Sequence, residues 1–494
     1  MLFSTRVSSM RRVLARFQKV RLRNEGLFFR CTPHAVLLMA ASRDGACQLT
    51  WPLEVAHVEQ AGDVSIPLFA LEQVLHPLHD DDIVTIHSEG EKLPCSVSVL
   101  PSQTASQPMQ IAQWQGTSPF ALPQVGTKEE QYACLSCQRT KGTFQRERYV
   151  PFAEISLPRQ SLTQMLKHVG WAVRTPQQDA HAVHPKPVFT TLWMEMHEGI
   201  VIWTACNSFQ LAQEQFTMLD RSLTWPLPMF LPVTWVRRVL PLFARQETLR
   251  LEPLWLEKRL VALDDQPVAD APLTQHPVAL RLTGMDCGGE VLLRLHEETL
   301  PPYYHWIPSR WTTRMTCQRQ ALLDALVAAR TQIQEEVERG KDEHARVLIT
   351  VAQVQAAELL LRVESYPVSS PKHQKDQSEE QQQTPRLLAT YRLPAVVEGP
   401  AMHVPIEASL LCTALRASRV SRIHLDLRTP YRPIVLRPVL AQNSQESALW
   451  MTGAFHVPQY PYQVSAQTAP TTVQEEGAYD TQEGATDGKT ADAV

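Results

Sequence analysis

Two cysteines three positions apart, Cys134 and Cys137, have the spacing of half a zinc site. No second Cys-x-x-Cys pair and no paired histidines accompany them to complete a tetrahedral set, so they read as loop thiols and no metal is expected. The acidic clusters Asp80-Asp81-Asp82 and Asp264-Asp265 have the chemistry to hold a divalent cation, but both fall where turns are predicted and where carboxylates are simply solvated. The chain has no G-x-x-x-x-G-K-[ST], G-x-G-x-x-G, G-x-S-x-G or H-E-x-x-H, and its 18 glycines are few for a fold that cradles phosphates. Neither an enzyme nor a cofactor-binding protein is therefore expected.

What remains is charge, and it is unevenly distributed. Residues 1–30 carry Arg6, Arg11, Arg12, Arg16, Lys19, Arg21, Arg23 and Arg30 against Glu25, a local net of +7. From Pro458 onward six acidic residues face Lys489, a local net of −5 in a segment rich in Gln, Thr, Ala and Gly that reads as a disordered acidic tail. These ends nearly cancel in the overall net charge of −4, so affinity for a polyanion has to be sought on particular faces. The Arg-rich start fits either an organelle transit peptide or a helix capped by Ser8, with Met10, Val13, Leu14 and Phe17 on one face and Arg12, Arg16 and Lys19 on another.

The elements that would position such charges recur three times. Ile66-Pro67 precedes a helical pattern (Leu71, Val74, Leu75, Leu78) and the alternating strand Ile83–His87. Leu231-Pro232 precedes Val236, Val239, Leu240 and Phe243 and the strand Leu249–Leu251, while Val404-Pro405 precedes Leu411, Ala414 and Leu415 and the strand Ile423–Leu427. Each proline is expected in the first helical turn, where its fixed φ suits the helix and its missing N–H is not needed. A second strand is expected after each first one, at Lys92–Leu100, Lys258–Leu263 and Arg432–Leu440. Another amphipathic helix lies ahead of each unit: the Met10 helix, then Leu162, Met165, Leu166 and Val169, then Leu322, Ala325, Leu326 and Ala329. Val188–Met196 with Ile200–Thr204 reads as a hairpin. Few helices and many strands, repeated three times, make an α+β chain, in keeping with its 494 residues at roughly 150 per domain.

Residues 102–154, 264–277 and Ser369–Pro385 interrupt this plan and are expected to be loops. No run of 18 apolar residues suggests a membrane span, and 44% hydrophobic with 20% charged residues is ordinary for a soluble globular protein. Nine scattered cysteines, an odd number, suit a reducing cytoplasm.

On that threefold frame, three local runs carry a family resemblance. They are Ile155-Ser156-Leu157-Pro158, the strand Thr191-Leu192-Trp193-Met194-Glu195, and Leu300-Pro301-Pro302-Tyr303-Tyr304-His305-Trp306-Ile307-Pro308, which is similar to an FPDYRRVLP segment with its prolines and tyrosine in register. Over roughly residues 1–457 the chain resembles the bacterial DNA sliding clamp, the β subunit of DNA polymerase III, as a divergent member. The resemblance implies three tandem clamp domains, each with two helices packed on antiparallel sheet, in a head-to-tail homodimeric ring around double-stranded DNA. On this plan residues 1–101, 155–308 and 309–457 are the domains, 102–154 an insertion or linker and 458–494 the tail.

The implied function is that of a processivity factor in DNA replication, in the cytoplasm on the nucleoid. Its implied partners are a DNA polymerase, a clamp loader and repair proteins with short clamp-binding motifs. The residues implied to face DNA are Arg11, Arg12, Arg16, Lys167, Lys186, Arg237, Arg238, Arg330, Arg416 and Arg419. Those implied to line a partner-peptide groove between the second and third domains are Phe189, Leu211, Pro301, Tyr303, His305, Trp306, Trp450 and Met451. The family's groove-lining TDGHRLA run stands here as Cys206-Asn207-Ser208-Phe209-Gln210-Leu211-Ala212, without its glycine and arginine. That loss and the insertions leave a second reading open, a clamp-fold scaffold or a clamp for a specialised polymerase.

Overall fold

The computed structural model describes residues 1–452 except 21–25, 43, 56, 89–94, 103–108, 115–137, 141–142, 153, 176–185, 219–223, 226–227, 263–273, 275, 286–287, 306, 309, 339–344, 352–357, 366–385, 430–431 and 440–446. Across them the order strand, helix, three strands runs six times. The first unit is β1 (Leu2–Arg6), α1 (Val7–Lys19), β2 (Gly26–Cys31), β3 (Val36–Ala41) and β4 (Cys47–Leu53). After β5 (His57–Gln60), the second is β6 (Gly62–Pro67), α2 (Leu68–Leu75), β7 (Ile83–Ser88), β8 (Cys95–Leu100) and β9 (Met109–Trp114). Strands β10 (Gln138–Thr140) and β11 (Thr143–Pro151) lead to the third: β12 (Ile155–Pro158), α3 (Arg159–Val169), β13 (Thr191–His197), β14 (Ile200–Cys206) and β15 (Gln210–Thr217). The fourth is β16 (Met229–Pro232), α4 (Val233–Val239), β17 (Thr248–Ala262), β18 (Ala279–Gly284) and β19 (Glu290–Arg294). The fifth is β20 (Thr313–Gln318), α5 (Arg319–Glu338), β21 (Ala345–Val351), β22 (Glu358–Ser365) and β23 (Arg386–Glu398). The sixth is β24 (Met402–Ile406), α6 (Ala408–Ala417), β25 (Arg422–Leu427), β26 (Ile434–Pro438) and β27 (Ser447–Thr452).

The helical patterns read from the sequence are the buried faces. Met10, Val13, Leu14 and Phe17 of α1, Leu162, Met165 and Val169 of α3, and Leu322, Leu326 and Ala329 of α5 are buried, as are Val236, Val239, Leu240 and Phe243 and the α6 residues Leu411, Ala414 and Leu415. Each odd-numbered helix starts on the same hydrogen bond to the turn after its even-numbered neighbour. Val7 N–H donates to Asp82 O (2.9 Å), Arg159 N–H to Glu247 O (2.8 Å) and Arg319 N–H to Ser421 O (2.9 Å). In each case the acceptor immediately precedes the strand that follows the second helix, so the two helices of a pair are tied end to end.

All ladders are antiparallel, and two of them cross between units distant in sequence. β4 pairs with β19, with Leu49 opposite Val291 and Cys47 opposite Leu293. β15 pairs with β27, with Leu211 opposite Met451 and Ala212 opposite Trp450. These two seams give one sheet of ten strands and one of twelve, beside a sheet of five.

Several expectations are corrected. Residues 102–154 are not loop throughout, because β9 extends the β8 edge and β11 pairs along its full length with Leu254–Ala262 of β17; an open edge to pair with outweighs a Gln- and Ser-rich composition. Lys258–Leu263 is not a second strand: β17 runs on to Ala262, and the second strand is β18. Ser8 does not cap α1 but lies within it; main-chain carbonyls of Asp82 and Asp80 accept the Val7 and Ser8 amides and replace a side-chain cap. Pro67 and Pro232 occupy the N-cap position, one residue before the first helical turn, with φ of −60° and −66°, and Pro405 stands inside β24 ahead of the Glu407 cap. The Asp80–Asp82 turn is more than solvated acid. The Asp82 carboxylate accepts from His79 N–H (2.8 Å) and Ser102 N–H (2.9 Å), bonds that hold it below the usual carboxylate range.

Cys134, Cys137, Asp264, Asp265, Ser369–Pro385 and the acidic tail lie outside the described residues. No described helix is long and apolar enough to cross a membrane. Among the described residues no three His, Cys, Asp or Glu side chains are grouped to hold a metal ion.

Candidate partner groove and basic helix faces

Next to the β15–β27 seam, a small apolar cluster stands apart from the main core. It joins Val188, Phe189, Trp193, Cys206, Leu211, Phe230, Tyr303 and Val435, with Leu300 and Ile307 packed against it. The elements explain the convergence. A 3₁₀ turn over Pro187–Thr190 turns Val188 and Phe189 inward, β13 and β15 supply Trp193 and Leu211, a second turn at Tyr303–His305 supplies Tyr303, and β26 brings Val435 from far along the chain. The Trp193 and Tyr303 rings lie 5.5 Å apart at 47°, a tilted pair adding about 0.5–1.5 kcal/mol beyond burial.

Polar groups fix this cluster. The Tyr303 hydroxyl donates to Glu195 Oε1 (2.8 Å) and accepts from Gln213 Nε2 (3.2 Å), while Trp193 Nε1 donates to Val188 O (2.9 Å). Burial and the neighbouring Glu195 carboxylate push the Tyr303 hydroxyl above its ordinary range, so it stays a donor. At the rim, Asn207 Oδ1 accepts the Phe209 and Gln210 amides, the Arg174 guanidinium donates to Ser208 Oγ (2.8 Å), and Gln210 Nε2 reaches Leu410 O (2.8 Å) on α6. Ser208 stands where the resembling run has glycine and keeps a left-handed backbone at φ 79°. Phe209 and Tyr304 are 59% and 61% exposed beside a buried cluster, a combination that offers apolar surface to a partner side chain.

Of the expected groove residues, the structure brings together Phe189, Leu211 and Tyr303. Pro301 accepts the Tyr303 amide in the same turn, and His305 lies exposed beside Tyr304 with ring centroids 4.3 Å apart. Trp450 and Met451 are placed by their backbone on β27, and their side chains, like Trp306 as a whole, lie outside the described residues. The sequence reading missed Val188, Trp193, Cys206, Phe230 and Val435. Val435 lies in the expected strand Arg432–Leu440, but nothing local assigns it to this cluster, since only the β26–β27–β15 ladder brings it there.

The expected DNA-facing cations divide into two groups. Arg11 donates to Leu75 O, His76 O and Leu78 O at 2.7, 3.1 and 2.9 Å and pairs with Asp80, so it satisfies the carbonyl end of α2. Arg12 reaches Glu54 at 3.3 Å, Arg16 stacks 4.0 Å over Trp51, Arg237 donates to Gly170 O (2.7 Å), and Arg238 lies 4.9 Å over Trp235. Lys186 is exposed at the turn that leads into Phe189. Lys167, Arg330, Arg416 and Arg419 are exposed on or just after α3, α5 and α6, with no ion-pair partner among the described residues.

Six cysteines, 31, 47, 95, 206, 317 and 412, are buried free thiols. Burial pushes Cys47 and Cys317 up to about 12 and Cys95 and Cys206 up to about 11, which leaves them inert packing groups.

No protein-family model and no curated protein matches this sequence. Solved structures do. The β subunit of DNA polymerase from Streptococcus pyogenes aligns with 92% of this chain and 100% of its own at a TM-score of 0.60 and 13% identity. The DNA polymerase III subunit β of Pseudomonas aeruginosa covers 92% and 100% at 0.59 and 12%, and that of Thermotoga maritima 92% and 99% at 0.57 and 11%. The chain thus has the fold of the bacterial DNA polymerase III β subunit, the sliding clamp, in a strongly diverged sequence.

Proposed function

We propose that this protein is a sliding clamp: two copies close head to tail around duplex DNA, and the groove beside the β15–β27 seam holds a DNA polymerase, a clamp loader or repair proteins by short apolar motifs. The correspondence of fold to sliding clamps along 92% of the chain carries this reading. Clamp domains at 1–101, 155–308 and 309–457 fit the pairing of the six units, each with one odd- and one even-numbered helix. The seams support ring closure by their order. β4 ends the first unit and pairs with β19, which ends the fourth; β15 ends the third and pairs with β27, which ends the sixth. The next pair in that series is β23, which ends the fifth, with β9, which ends the second, of another copy. β9 is an edge strand, and Leu387 on β23 is 48% exposed.

Such a protein works by closure, with no reaction and no cofactor. A ring cannot leave DNA without opening, so phosphate attraction can stay weak enough for sliding. The exposed helix cations Lys167, Arg330, Arg416 and Arg419 suit that sequence-independent task. Arg11 serves it less, since its guanidinium already holds the end of α2. The expected place of work is the cytoplasm, on the nucleoid.

The altered rim favours a second reading, a clamp-fold scaffold or specialised-polymerase clamp, because Ser208 and Gln210 replace the glycine and arginine of the resembling run. Solution mass and negative-stain images of the full chain, with retention on circular against linearised DNA, separate the two. Two-chain rings held only on circular DNA are expected; monomers with no topological retention overturn the tether in favour of the scaffold.

A further inference from the structure

Beside the apolar cluster lies a concavity of different chemistry. Arg310, Trp311, Asp426, Arg428, Arg437 and Val435 are among the residues lining a shallow, solvent-open cavity. Its one lining carboxylate is already committed. Asp426 is buried, and Arg314 grips it with two bonds, Nε to Oδ1 (2.6 Å) and Nη2 to Oδ2 (2.8 Å), while Arg437 Nε donates to Oδ2 (3.0 Å). The Arg314 guanidinium also lies 4.6 Å over the Trp311 ring, which is 40% exposed. Among the described residues, the other acid close to Arg314 is Glu398, opposite it on β23. Arg310 and Arg428 are exposed and have no acidic partner among the described residues. The cavity therefore presents surplus positive charge, arranged as planar guanidinium groups suited to carboxylates.

Its position says which carboxylates. Val435 belongs both to the apolar cluster and to the cavity wall, and Ile307, packed on the cluster, is followed by Pro308, which lines the cavity. An extended peptide advances about 3.3 Å per residue. A chain with an apolar side chain seated among Leu211, Tyr303 and Val435 would thus bring its next few residues to Arg310 and Arg428. We propose that this cavity binds the acidic flank of a groove-bound peptide, so that the preferred partner motif is an apolar anchor with Asp or Glu immediately beside it. The inference rests on the groove reading above. A nucleic-acid strand is less suited, because the cavity shares its wall with an apolar side-chain site.

The test uses the full chain and two fluorescein-labelled peptides with one Leu-Phe anchor, flanked by Glu-Glu-Asp in one and Gln-Gln-Asn in the other. By fluorescence anisotropy at low salt the acidic peptide is expected to bind about tenfold tighter, an advantage that shrinks to about twofold at about 0.5 M salt. The double variant Arg310→Ala/Arg428→Ala removes the advantage and leaves the neutral peptide's affinity unchanged. Equal affinities for the two peptides in the native chain overturn the inference and leave the groove standing. If neither peptide binds, the groove reading fails and the inference with it. Displacement of the acidic peptide by short oligo-dT through the same two arginines reassigns the cavity to single strands and overturns the inference.

Discussion

The β4–β19 and β15–β27 seams use the same antiparallel backbone pairing and carry opposite side-chain chemistry. At the first, Cys47, Leu49, Val291 and Leu293 are fully buried across the ladder, Trp51 packs 5.9 Å from Phe243, and a Cβ on Gly289 would meet the Trp51 ring at 2.4 Å. At the second, Gln210 and Glu214 are buried polar residues, Glu214 Oε1 meets His168 Nδ1 at 2.9 Å, and the apolar cluster opens toward exposed Phe209 and Tyr304. The contrast teaches that backbone pairing suffices to join units, while the side chains decide whether a seam is a closed joint or a site.

Three substitutions sharpen that contrast. Gly289→Ala at the closed joint is expected to lower stability by about 3 kcal/mol in urea denaturation, because Trp51 has no room to yield without reopening its contact with Phe243. A loss below about 0.5 kcal/mol would show that this seam is looser than its packing implies. Tyr303→Phe at the open seam is expected to cost about 1–2 kcal/mol, since it takes the hydroxyl donor from Glu195 Oε1 and leaves the Gln213 amide with Thr204 Oγ1 as its remaining acceptor. The Tyr303 hydroxyl is raised above its unfolded value of about 10, so its contribution is full below that pH and lost as pH rises beyond it. The native chain and the Tyr303→Phe variant should accordingly converge in stability in alkaline titrations. The smallest effect is a gain: Ser208→Gly relieves a left-handed backbone at φ 79° and is expected to raise stability by about 0.5 kcal/mol, partly offset by glycine's greater unfolded-state freedom. A loss instead would assign Ser208 Oγ, which accepts from Arg174, a larger share in holding the rim.

Much of this architecture was legible because helix faces and strand alternation are local. The periodicities at Met10–Phe17 and Leu322–Ala329 appear as buried helix faces, and Ile83–His87 and Ile423–Leu427 as strands. The prolines marked each strand-to-helix junction within two residues of its place. Composition misled at 102–154, where β9 and β11 form because β8 and β17 offer edges to pair with, a fact no local window contains. The apolar cluster was half legible. Leu211 and Tyr303 stand in the family-like runs and Phe189 in the expected strand Val188–Met196, whereas Trp193 read only as a strand residue, Val435 only as part of the expected strand Arg432–Leu440, and Phe230 was not singled out. Arg11 shows the converse, a cation suited by type to phosphate that the fold spends on the carbonyl end of α2.

The sequence by itself determined the threefold recurrence, the six amphipathic helices and the alternating strands, because each depends on residues within a turn or two of one another. Tertiary structure alone decided the two seams, the meeting of Val435 with Leu211, and which arginines remain available to an anion. Those depend on pairings between residues about two hundred positions apart, such as Gln210 with Leu410 and Leu49 with Val291, which side-chain complementarity selects only once the sheets have formed.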